Sequence, residues 1–297
     1  MKIEKLAGID IGSNAIRLLI SNVVSEIEGK EPSFRKSSLV RVPIRLGADT
    51  FIKGDISEHN KKRMVKAMEA FKLLMDVHGI EKYYACATSA MREAKNGQQV
   101  ADEIEKLTSL KINIIDGKKE AAIIFSTDLS TYIQEDKSYL YVDVGGGSTE
   151  FTVFSKGKIL NSKSFKVGTV RLLQNKNLMK QVWPEMEEWI IENTKSLKRI
   201  ALIGSGGNIN KIFKLSGKPM GKPLSLMYLT AHYKYLKTMD YTQRIINMGL
   251  NPDRADVIIP ATKIYLSAMR WSGARKIYVP KIGLADGIIK NLYYNKL

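Results

Sequence analysis

Two stretches of the chain share one pattern: a β-rich run, an aspartate, an apolar residue, a glycine, a small polar turn and a second β-rich run. They are LAGIDIGSNAIRLLI at 6–20 and LYVDVGGGSTEFTVF at 140–154. Asp10 in the first stretch corresponds to Asp143 in the second, 143 − 10 = 133 residues later. This separation is about the length of one domain. The repeat therefore predicts two similar lobes, each containing a strand–turn–strand unit.

The length and the order of the predicted elements also favour two lobes. At 297 residues the chain is long for a single core. Predicted strands alternate with predicted helices along it, which is typical of mixed α/β folds. We place the first lobe at 1–124 and the second at 125–297. The terminal helix, 283–297, is a candidate to pack back on the first lobe.

Capping residues and prolines predict the limits of three helices. Ser57 is expected to cap a helix over Glu58–His78. A helix over Pro184–Leu197 is expected to begin at its proline, because proline is favoured in the first helical turn. One long helix is expected over Asp253–Trp271, with a kink at the proline inside it.

Composition excludes several classes of protein. The longest apolar runs are too short to span a bilayer, and the N-terminus has no signal-peptide pattern. The single cysteine, Cys86, excludes a disulfide framework and fits a reducing cytosol. We therefore expect a cytoplasmic protein with no membrane partner. Three scattered histidines and one cysteine make a zinc site improbable.

The charge balance favours a polyanionic partner. Lys and Arg number 47 against 30 Asp and Glu, which gives a formal net charge of +17. The basic residues are spread along the chain, and no zinc-finger spacing, RNP motif or heptad-backed basic region accompanies them. We therefore expect a phosphorylated substrate rather than nucleic acid.

The turn at 145–149 is the strongest candidate for chemistry. Its glycines let backbone N–H groups approach a ligand closely. If the flanking strands pair, Asp143 and Glu150 both lie beside this turn. N–H groups with nearby carboxylates suit a phosphate that carries a hard metal ion. The alternative is a plain glycine hairpin without a ligand.

Four other features are weaker candidates. Arg92 lies one turn into a predicted helix and suits an anion, but a surface arginine is its default interpretation. Glu120 lies in the first turn of a helix that Asp116 can cap, and a structural role is its default interpretation. A Gly-Thr turn with basic flanks lies at 165–171. GSGGN at 204–208 joins a strand to a helix, a recurring phosphate cradle.

The order of these motifs resembles the exopolyphosphatase and guanosine pentaphosphatase (Ppx/GppA) family of the actin/Hsp70/sugar-kinase superfamily. The matching residues are IDIGSNAIRLLI (9–20), ATSAMREAKNG (87–97), DGKKEA (116–121), VDVGGGSTE (142–150), GSGGN (204–208) and RADVIIPA (254–261). The resemblance covers nearly the whole chain in the family's order. It implies an α/β fold of two ribonuclease-H-like lobes with the substrate in an interdomain cleft, in the short two-domain form.

The resemblance also implies roles for particular residues. Glu120 matches the family's catalytic carboxylate, and Asp143 and Glu150 match positions that handle metal and water, so all three are expected to be catalytic. The expected phosphate-binding residues are Asp10, Gly12, Ser13, Asn14, Arg17, Arg92, Gly145, Gly146, Gly147, Ser148, Thr149, Ser205, Gly206, Gly207 and Arg254. The chain departs from the family at Lys118-Lys119, where members commonly carry acidic residues. Two cations there favour the ionised form of the neighbouring carboxylate.

The resemblance implies an exopolyphosphatase, which releases terminal orthophosphate from inorganic polyphosphate. Glu120 is expected to orient the attacking water, with Mg²⁺ or another divalent cation at Asp143 and Glu150. Hydrolysis of pppGpp at its 5′ end is a related expectation, either beside polyphosphate or alone. A nucleotide-dependent kinase of the same superfamily and a non-enzymatic sensor of polyphosphate or alarmone are the alternatives. A homodimer is a further open expectation.

Overall fold

The structure of the protein, a computed structural model, describes residues 1–25, 31–127, 137–175 and 177–297. Contacts divide the chain into unit 1, Met1–Thr127 with Gly283–Leu297, and unit 2, Asp128–Ile282. The domain limits drawn from the sequence, 1–124 and 125–297, stay a prediction.

Eleven strands in the described part of the chain form two sheets. They are β1 (Lys2–Ile11), β2 (Ile16–Ser25), β3 (Ser33–Val42), β4 (Lys82–Ala87), β5 (Ile112–Ile114), β6 (Ser138–Val144), β7 (Thr149–Ser155), β8 (Lys158–Phe165), β9 (Ile200–Ser205), β10 (Leu224–Ser225) and β11 (Lys276–Tyr278). The sheet of unit 1 has the order β3-β2-β1-β4-β5, and that of unit 2 has the order β10-β11-β9-β6-β7-β8.

The two sheets share one topology. In each, the first three strands form an antiparallel meander, β1–β2–β3 in unit 1 and β6–β7–β8 in unit 2. Two later strands then join in parallel on the open side of the first strand, β4 and β5 in unit 1 and β9 and β11 in unit 2. This is the strand order of the ribonuclease-H-like fold. The predicted fold class of two ribonuclease-H-like α/β lobes is confirmed, each lobe taken by itself.

Thirteen helices in the described residues surround these sheets. They are α1 (Leu46–Lys53), α2 (Glu58–His78), α3 (Ser89–Glu93), α4 (Gly97–Thr108), α5 (Gly117–Phe125), α6 (Thr169–Gln174), α7 (Leu178–Thr194), α8 (Gly207–Leu215), α9 (Leu226–Thr238), α10 (Tyr241–Met248), α11 (Pro252–Ala255), α12 (Ile258–Trp271) and α13 (Leu284–Tyr293). None of these described helices combines the length and the apolar character needed to cross a bilayer.

Helix α2 has the predicted ends, whereas α7 does not. The side chain of Ser57 accepts a hydrogen bond from the backbone N–H of Asn60 and so caps α2. Helix α7 begins at Leu178, so the predicted start at Pro184 is wrong, and the proline lies inside the helix. Pro184 removes one backbone hydrogen bond there. The preceding turns remain helical because Leu178 and Trp183 pack against the core of unit 2.

The predicted long helix over 253–271 is also wrong in one respect. It consists of two helices, α11 and α12, with a break at Asp256 and Val257. Pro260 stands in the first turn of α12, where it needs no hydrogen-bond donor. Its ring would clash with the carbonyl four residues earlier, that of Asp256, so the helix breaks rather than kinks.

Each unit has its own hydrophobic core. In unit 1, Ile9 and Leu18 of the central hairpin and Phe71 of α2 are buried together. In unit 2, Phe151 of β7 and Tyr265 of α12 are buried in a separate cluster. The central hairpin of each sheet is therefore anchored by core packing, which fixes the turn at its end.

Helix α13 packs in unit 1 through two positions where glycine is needed. A Cβ atom on Gly287 would lie 2.1 Å from the carbonyl oxygen of Ile123 in α5. A Cβ atom on Gly8 in β1 would lie 2.9 Å from the carbonyl oxygen of Ala285. An ion pair of 2.7 Å between Lys36 and Asp286 adds to this packing. The C-terminal helix thus supports α5 and β1, the two elements that carry Glu120 and Asp10.

We predict that Gly287→Ala destabilises the protein by about 1–3 kcal/mol, because the methyl group forces α13 away from α5. Gly283→Ala is the matched control, since a Cβ atom there meets nothing within 4 Å and the backbone is extended. We expect less than about 1 kcal/mol for this control, which only changes a helix N-cap. Urea unfolding followed by circular dichroism measures both. Equal losses would contradict the close-packing argument.

Candidate active site

In unit 2, the turn at 145–149 joins two paired strands that carry one carboxylate each. Asp143 of β6 stands directly opposite Glu150 of β7 in the antiparallel register. Glu150 is buried and accepts a 2.9 Å hydrogen bond from Ser164 of β8, whereas Asp143 is half-buried. The strand pairing predicted from the sequence is therefore present, and it places two negative charges side by side.

The equivalent hairpin in unit 1 carries the opposite arrangement of charge. Asp10 of β1 stands directly opposite Arg17 of β2, and the two side chains form an ion pair. Arg17 is the counterpart of Glu150, because 150 − 17 = 133 is the separation that also relates Asp143 to Asp10. Unit 1 thus neutralises its aspartate within the hairpin. Unit 2 instead pairs like charges, which is unfavourable unless a cation or hydrogen-bond donors compensate.

The glycine turn of unit 2 is fixed through its carbonyl groups. The carbonyl of Gly145 accepts from the backbone N–H of Thr169 at 3.0 Å, and that of Gly146 accepts from Val170 at 2.9 Å. No hydrogen bond from the N–H of Gly146 or Gly147 reaches another residue in the part of the chain that the structure describes. These two N–H groups can therefore bind an anion.

Two residues of the segment at 168–171 complete this turn, and neither was predicted as a site residue. A Cβ atom on Gly168 would lie 2.3 Å from the carbonyl carbon of Gly146, so only glycine fits. Arg171 is half-buried and donates from Nε to the carbonyl oxygen of Gly147 at 2.9 Å. In the sequence, the Gly-Thr turn with basic flanks at 165–171 was the signal for this segment. Its contact with the turn at 145–149 joins residues far apart in the chain, so it cannot be read from spacing.

The turn at 204–208 lies next to the same aspartate. Ser205 of β9 is in register with Asp143 of β6. Gly206 follows with φ of 114°, which favours glycine, and a Cβ atom there would lie 3.4 Å from Oδ1 of Asp143. The structure therefore brings the predicted residues of 205–207 together with those of 143–150 at one end of the sheet.

Two buried tyrosines lie around Asp143. The hydroxyl of Tyr265 donates to the carbonyl oxygen of Ser205. Burial raises the pKa of Tyr265 and of Tyr141 well above the ordinary value, and the negative charge of Asp143 raises both further. Both phenols therefore stay neutral at physiological pH.

In unit 1, the turn at 12–14 is fixed in a similar way. The carbonyl of Ser13 accepts from the N–H of Gly47 at 2.9 Å, and that of Asn14 accepts from Arg45 at 3.0 Å. The hydroxyl groups of Ser13 and Ser89 lie 3.0 Å apart, which links the turn to the start of α3. Both predicted turns are therefore held by hydrogen bonds to their carbonyls from a following segment.

The structure places Arg92 and Glu120 near each other in unit 1. Nη1 of Arg92 donates to the carbonyl oxygen of Ile115 at 2.7 Å and lies 4.0 Å from Oε2 of Glu120. Asp116 caps α5, as predicted, by accepting from the N–H of Lys119 at 2.7 Å. That hydrogen bond is the main reason why the pKa of Asp116 is lowered. Because Asp116 forms the cap, Glu120 is not needed for it.

The two lysines before Glu120 are exposed. The ammonium group of Lys119 lies 3.4 Å from the hydroxyl of Tyr84 and 5.9 Å from the centre of its ring. Lys119 thus extends toward β4, where a cation–π contact holds it.

Arg254 lies apart from the glycine turns of unit 2. It stands on α11 and lines a pocket whose other residues come from 210–214, 249–251 and 281. The described lining of this pocket includes none of the residues at 143–150.

The donors present fit a magnesium ion better than a zinc ion. Within residues 1–25, 31–127, 137–175 and 177–297, no group of three or more His, Cys, Asp and Glu side chains could hold a metal ion. Asp143 and Glu150 form a pair instead. Magnesium commonly uses one or two carboxylates and completes its shell with water and substrate phosphates. A pair of carboxylates beside N–H groups that can bind phosphate therefore fits Mg²⁺.

Cys86 lies on the strand next to Asp10 in unit 1. It is buried in β4, in register with Asp10 of β1, at the position that Ser205 takes in unit 2. Burial, followed by the charge of Asp10, raises the pKa of the thiol from 9.0 to about 12. The thiol therefore remains protonated in the folded protein at every physiological pH.

We predict that Cys86 makes stability fall as the pH rises above about 9. The unfolded thiol ionises near its ordinary pKa of about 8.5, whereas the folded thiol keeps its proton up to about 12, so the folded state binds more protons in this window. The loss is at most about 1.4 kcal/mol per pH unit. The stability of Cys86→Ala should not carry this slope. Urea unfolding of both proteins at pH 8, 9 and 10 tests it, and parallel pH curves would contradict it.

Comparisons with known proteins agree with this fold. Residues 23–295 match the Ppx/GppA phosphatase family. A bifunctional 3-dehydroquinate synthase/phosphatase of Fusobacterium nucleatum is 30% identical over 98% of this chain, which spans only 47% of that relative. Exopolyphosphatase 1 of Mycobacterium tuberculosis is 22% identical, over 96% of this chain and 87% of its own. The crystal structure of an exopolyphosphatase from Cytophaga hutchinsonii is 25% identical with a TM-score of 0.84, over 98% of both chains. Since the family match extends over nearly the whole chain, the protein belongs to the Ppx/GppA phosphatase family.

Proposed function

We propose that this protein is an exopolyphosphatase, a phosphoric anhydride hydrolase that releases terminal orthophosphate from inorganic polyphosphate. The observation that carries the proposal is the pair of carboxylates, Asp143 and Glu150, beside the N–H groups of Gly146 and Gly147. A phosphate chain brings the negative oxygens that such N–H groups bind. The similar proteins named as exopolyphosphatases support the same substrate.

Unit 2 binds phosphate in this proposal. The N–H groups of Gly146 and Gly147 donate to phosphate oxygens, and Ser148 and Thr149 complete the turn. Asp143 and Glu150 would hold Mg²⁺, which when bound neutralises negative charge on the phosphate oxygens. Arg171 keeps the peptide of Gly147 in place, so that the donors are in position before the substrate arrives.

Unit 1 provides the acid–base group. Glu120 orients a water molecule and accepts its proton as the oxygen attacks the terminal phosphorus. The bond from that phosphorus to the bridging oxygen breaks, so orthophosphate is released and the shortened phosphate chain is the leaving group. Arg92, 4.0 Å from Glu120, stabilises the negative charge that develops on the transferred phosphoryl group. Ser13 and Asn14 belong to the phosphate-binding turn of this unit. The family resemblance assigns the groups of both units to one reaction.

The same groups suit pppGpp as a second substrate. Its 5′ end is a triphosphate, whose terminal phosphoanhydride bond is chemically the bond of polyphosphate. Lys118 and Lys119, next to Glu120, are the only feature of the sequence that favours a non-enzymatic sensor. Both lysines are exposed, and Lys119 contacts Tyr84. Solvent screens exposed charges, so their effect on Glu120 is weakened, which favours the enzyme over the sensor.

We predict that Glu120→Gln lowers phosphate release from polyphosphate by about 10²–10⁴-fold, because the amide cannot accept the proton of the attacking water. Binding of polyphosphate should stay within a few-fold of the unmodified protein. A colorimetric phosphate assay, with and without Mg²⁺, measures turnover, and equilibrium dialysis measures binding. pppGpp is assayed in parallel.

Glu105→Gln on α4 is the control, since it removes an exposed carboxylate from the same unit. Near-normal turnover in Glu120→Gln would assign Glu120 a structural role and overturn the mechanism. Tight polyphosphate binding without phosphate release in the unmodified protein would favour the sensor.

Arg171→Gln is predicted to lower kcat/KM by about 10- to 100-fold, mainly through kcat, because the turn loses the charge-assisted hydrogen bond that fixes Gly147. Arg171→Lys should recover little, since lysine cannot present the same planar donors. Arg270→Gln, an exposed arginine of the same unit, is the control. The urea midpoint of each variant is measured as well. A loss of activity that follows a loss of stability would contradict a positioning role.

A further inference from the structure

Arg63 of α2 is a half-buried arginine that binds a loop of unit 1 through two carbonyl groups. Its Nη2 donates to the carbonyl oxygen of Pro43 at 2.8 Å, and its Nη1 donates to that of Ile44 at 3.1 Å. Both acceptors lie in the short loop at 43–45, between β3 and α1. Because the donors of a guanidinium are fixed relative to one another, two bound carbonyls are held in one arrangement. Arg63 therefore fixes this loop relative to α2.

The same loop holds the turn that contains Ser13 and Asn14. The N–H of Arg45 donates to the carbonyl oxygen of Asn14 at 3.0 Å, and the N–H of Gly47 donates to that of Ser13 at 2.9 Å. A Cβ atom on Gly47 would lie 3.1 Å from the Cβ atom of Ser13, so the start of α1 lies directly against the turn. A continuous series of contacts thus leads from Arg63 through the loop to the turn.

One peptide group connects the two ends of this series. The carbonyl of Ile44 and the N–H of Arg45 belong to the same planar trans peptide, so they point in opposite directions. The hydrogen bond from Arg63 to this carbonyl therefore also directs the N–H toward Asn14.

The backbone of Arg45 requires such support. Its φ of 62° and ψ of 44° lie in the left-handed region, which is unfavourable for a residue with a Cβ atom. Strain of this kind persists only where surrounding contacts maintain it, and it is found at functional sites. Arg63 holds the two residues that directly precede Arg45, so it can maintain this conformation.

A hydrogen-bonded network fixes Arg63 in turn. Nη1 of Arg63 also donates to Oδ1 of Asn60 at 2.9 Å, and Nδ2 of Asn60 donates to Oδ2 of Asp49 at 2.7 Å. Asp49 lies on α1, so the network returns to the helix that follows the loop. Burial acts to raise the pKa of Asp49, but hydrogen bonds from Ser57 and Asn60 lower it below the ordinary value. Asp49 is therefore ionised, and its hydrogen bonds are charge-assisted.

We propose that Arg63 is a positioning residue for phosphate hydrolysis. It orients the peptide between Ile44 and Arg45 and so keeps the turn at 12–14 in the geometry that binds phosphate. The inference rests on the proposed function, and it gives unit 1 a counterpart of Arg171 in unit 2. Arg171 donates to its glycine turn directly, whereas Arg63 acts through the loop.

Arg63→Gln tests the proposal. The value of kcat/KM for polyphosphate should fall by about 10- to 100-fold, mainly through kcat, because a displaced turn no longer holds phosphate in the reactive geometry. Arg63→Lys should recover little, since one ammonium group cannot replace the planar donors. Lys62→Gln changes the exposed neighbour on α2 and is the matched control, with an expected change below about two-fold.

Arg45→Asn separates positioning from a general loss of stability. Asparagine adopts the left-handed conformation more readily than arginine, so the loop then depends less on Arg63. In the Arg45→Asn background, Arg63→Gln should lower kcat/KM by less than about three-fold, because the two changes act on one contact series. Equal losses in both backgrounds would overturn the proposal, as would a loss in the Lys62→Gln control equal to that in Arg63→Gln.

Amide hydrogen exchange tests the inference without turnover. In Arg63→Gln, the amides of Arg45 and Gly47 should exchange at least about 10-fold faster than in the unmodified protein, with no change in β6 of unit 2. If exchange is faster in this way but the unmodified protein releases no phosphate, the support of the turn stands and the proposed function does not. If turnover of the unmodified protein is normal, unchanged exchange or an unchanged kcat/KM in Arg63→Gln would overturn the positioning role and leave the enzyme.

Discussion

The side-by-side position of Asp143 and Glu150 is the constraint on which the site of unit 2 depends. Residues directly opposite each other in an antiparallel pair have Cβ atoms about 5 Å apart, and two like charges at about that distance repel by roughly 3 kcal/mol at an effective dielectric of about 20. The protein offsets part of this with the hydrogen bond from Ser164 to Glu150. The negative charge of Asp143 also raises the pKa of two buried tyrosines, Tyr141 and Tyr265. A divalent cation at this pair would offset the repulsion between the two carboxylates.

Both hairpins present backbone N–H groups at a turn whose conformation must also be restricted. A glycine turn has high conformational freedom and would sample many arrangements on its own. In unit 2, N–H groups at the start of α6 bind the carbonyls of Gly145 and Gly146. Gly168 allows that approach because any side chain there would collide with the turn. Donors held in this way need little rearrangement when charge develops on a substrate.

The sequence predicts local features of this protein better than contacts between distant segments. Strand pairing around 145–149 and the cap at Asp116 follow from turn glycines and capping chemistry, which act over a few residues. The start of α7 was missed because core contacts of Trp183 outweigh the local preference of Pro184. The hydrogen bond from Arg171 to Gly147 and the pocket that Arg254 lines depend on segments brought together by the fold. No local pattern encodes them.

The overall charge of +17 and the local charges of the site act at different distances. At physiological salt, charges separated by more than about 8 Å are largely screened, so the net charge affects the approach of a polyanion rather than its chemistry. The chemistry depends on local differences, such as Arg17 in one hairpin where the other has Glu150. In unit 1, an ion pair with Arg17 neutralises Asp10. In unit 2, Asp143 and Glu150 form a position that suits a cation. A net charge therefore cannot distinguish a phosphate-binding surface from a site that could cleave phosphate, whereas the register of one strand pair can.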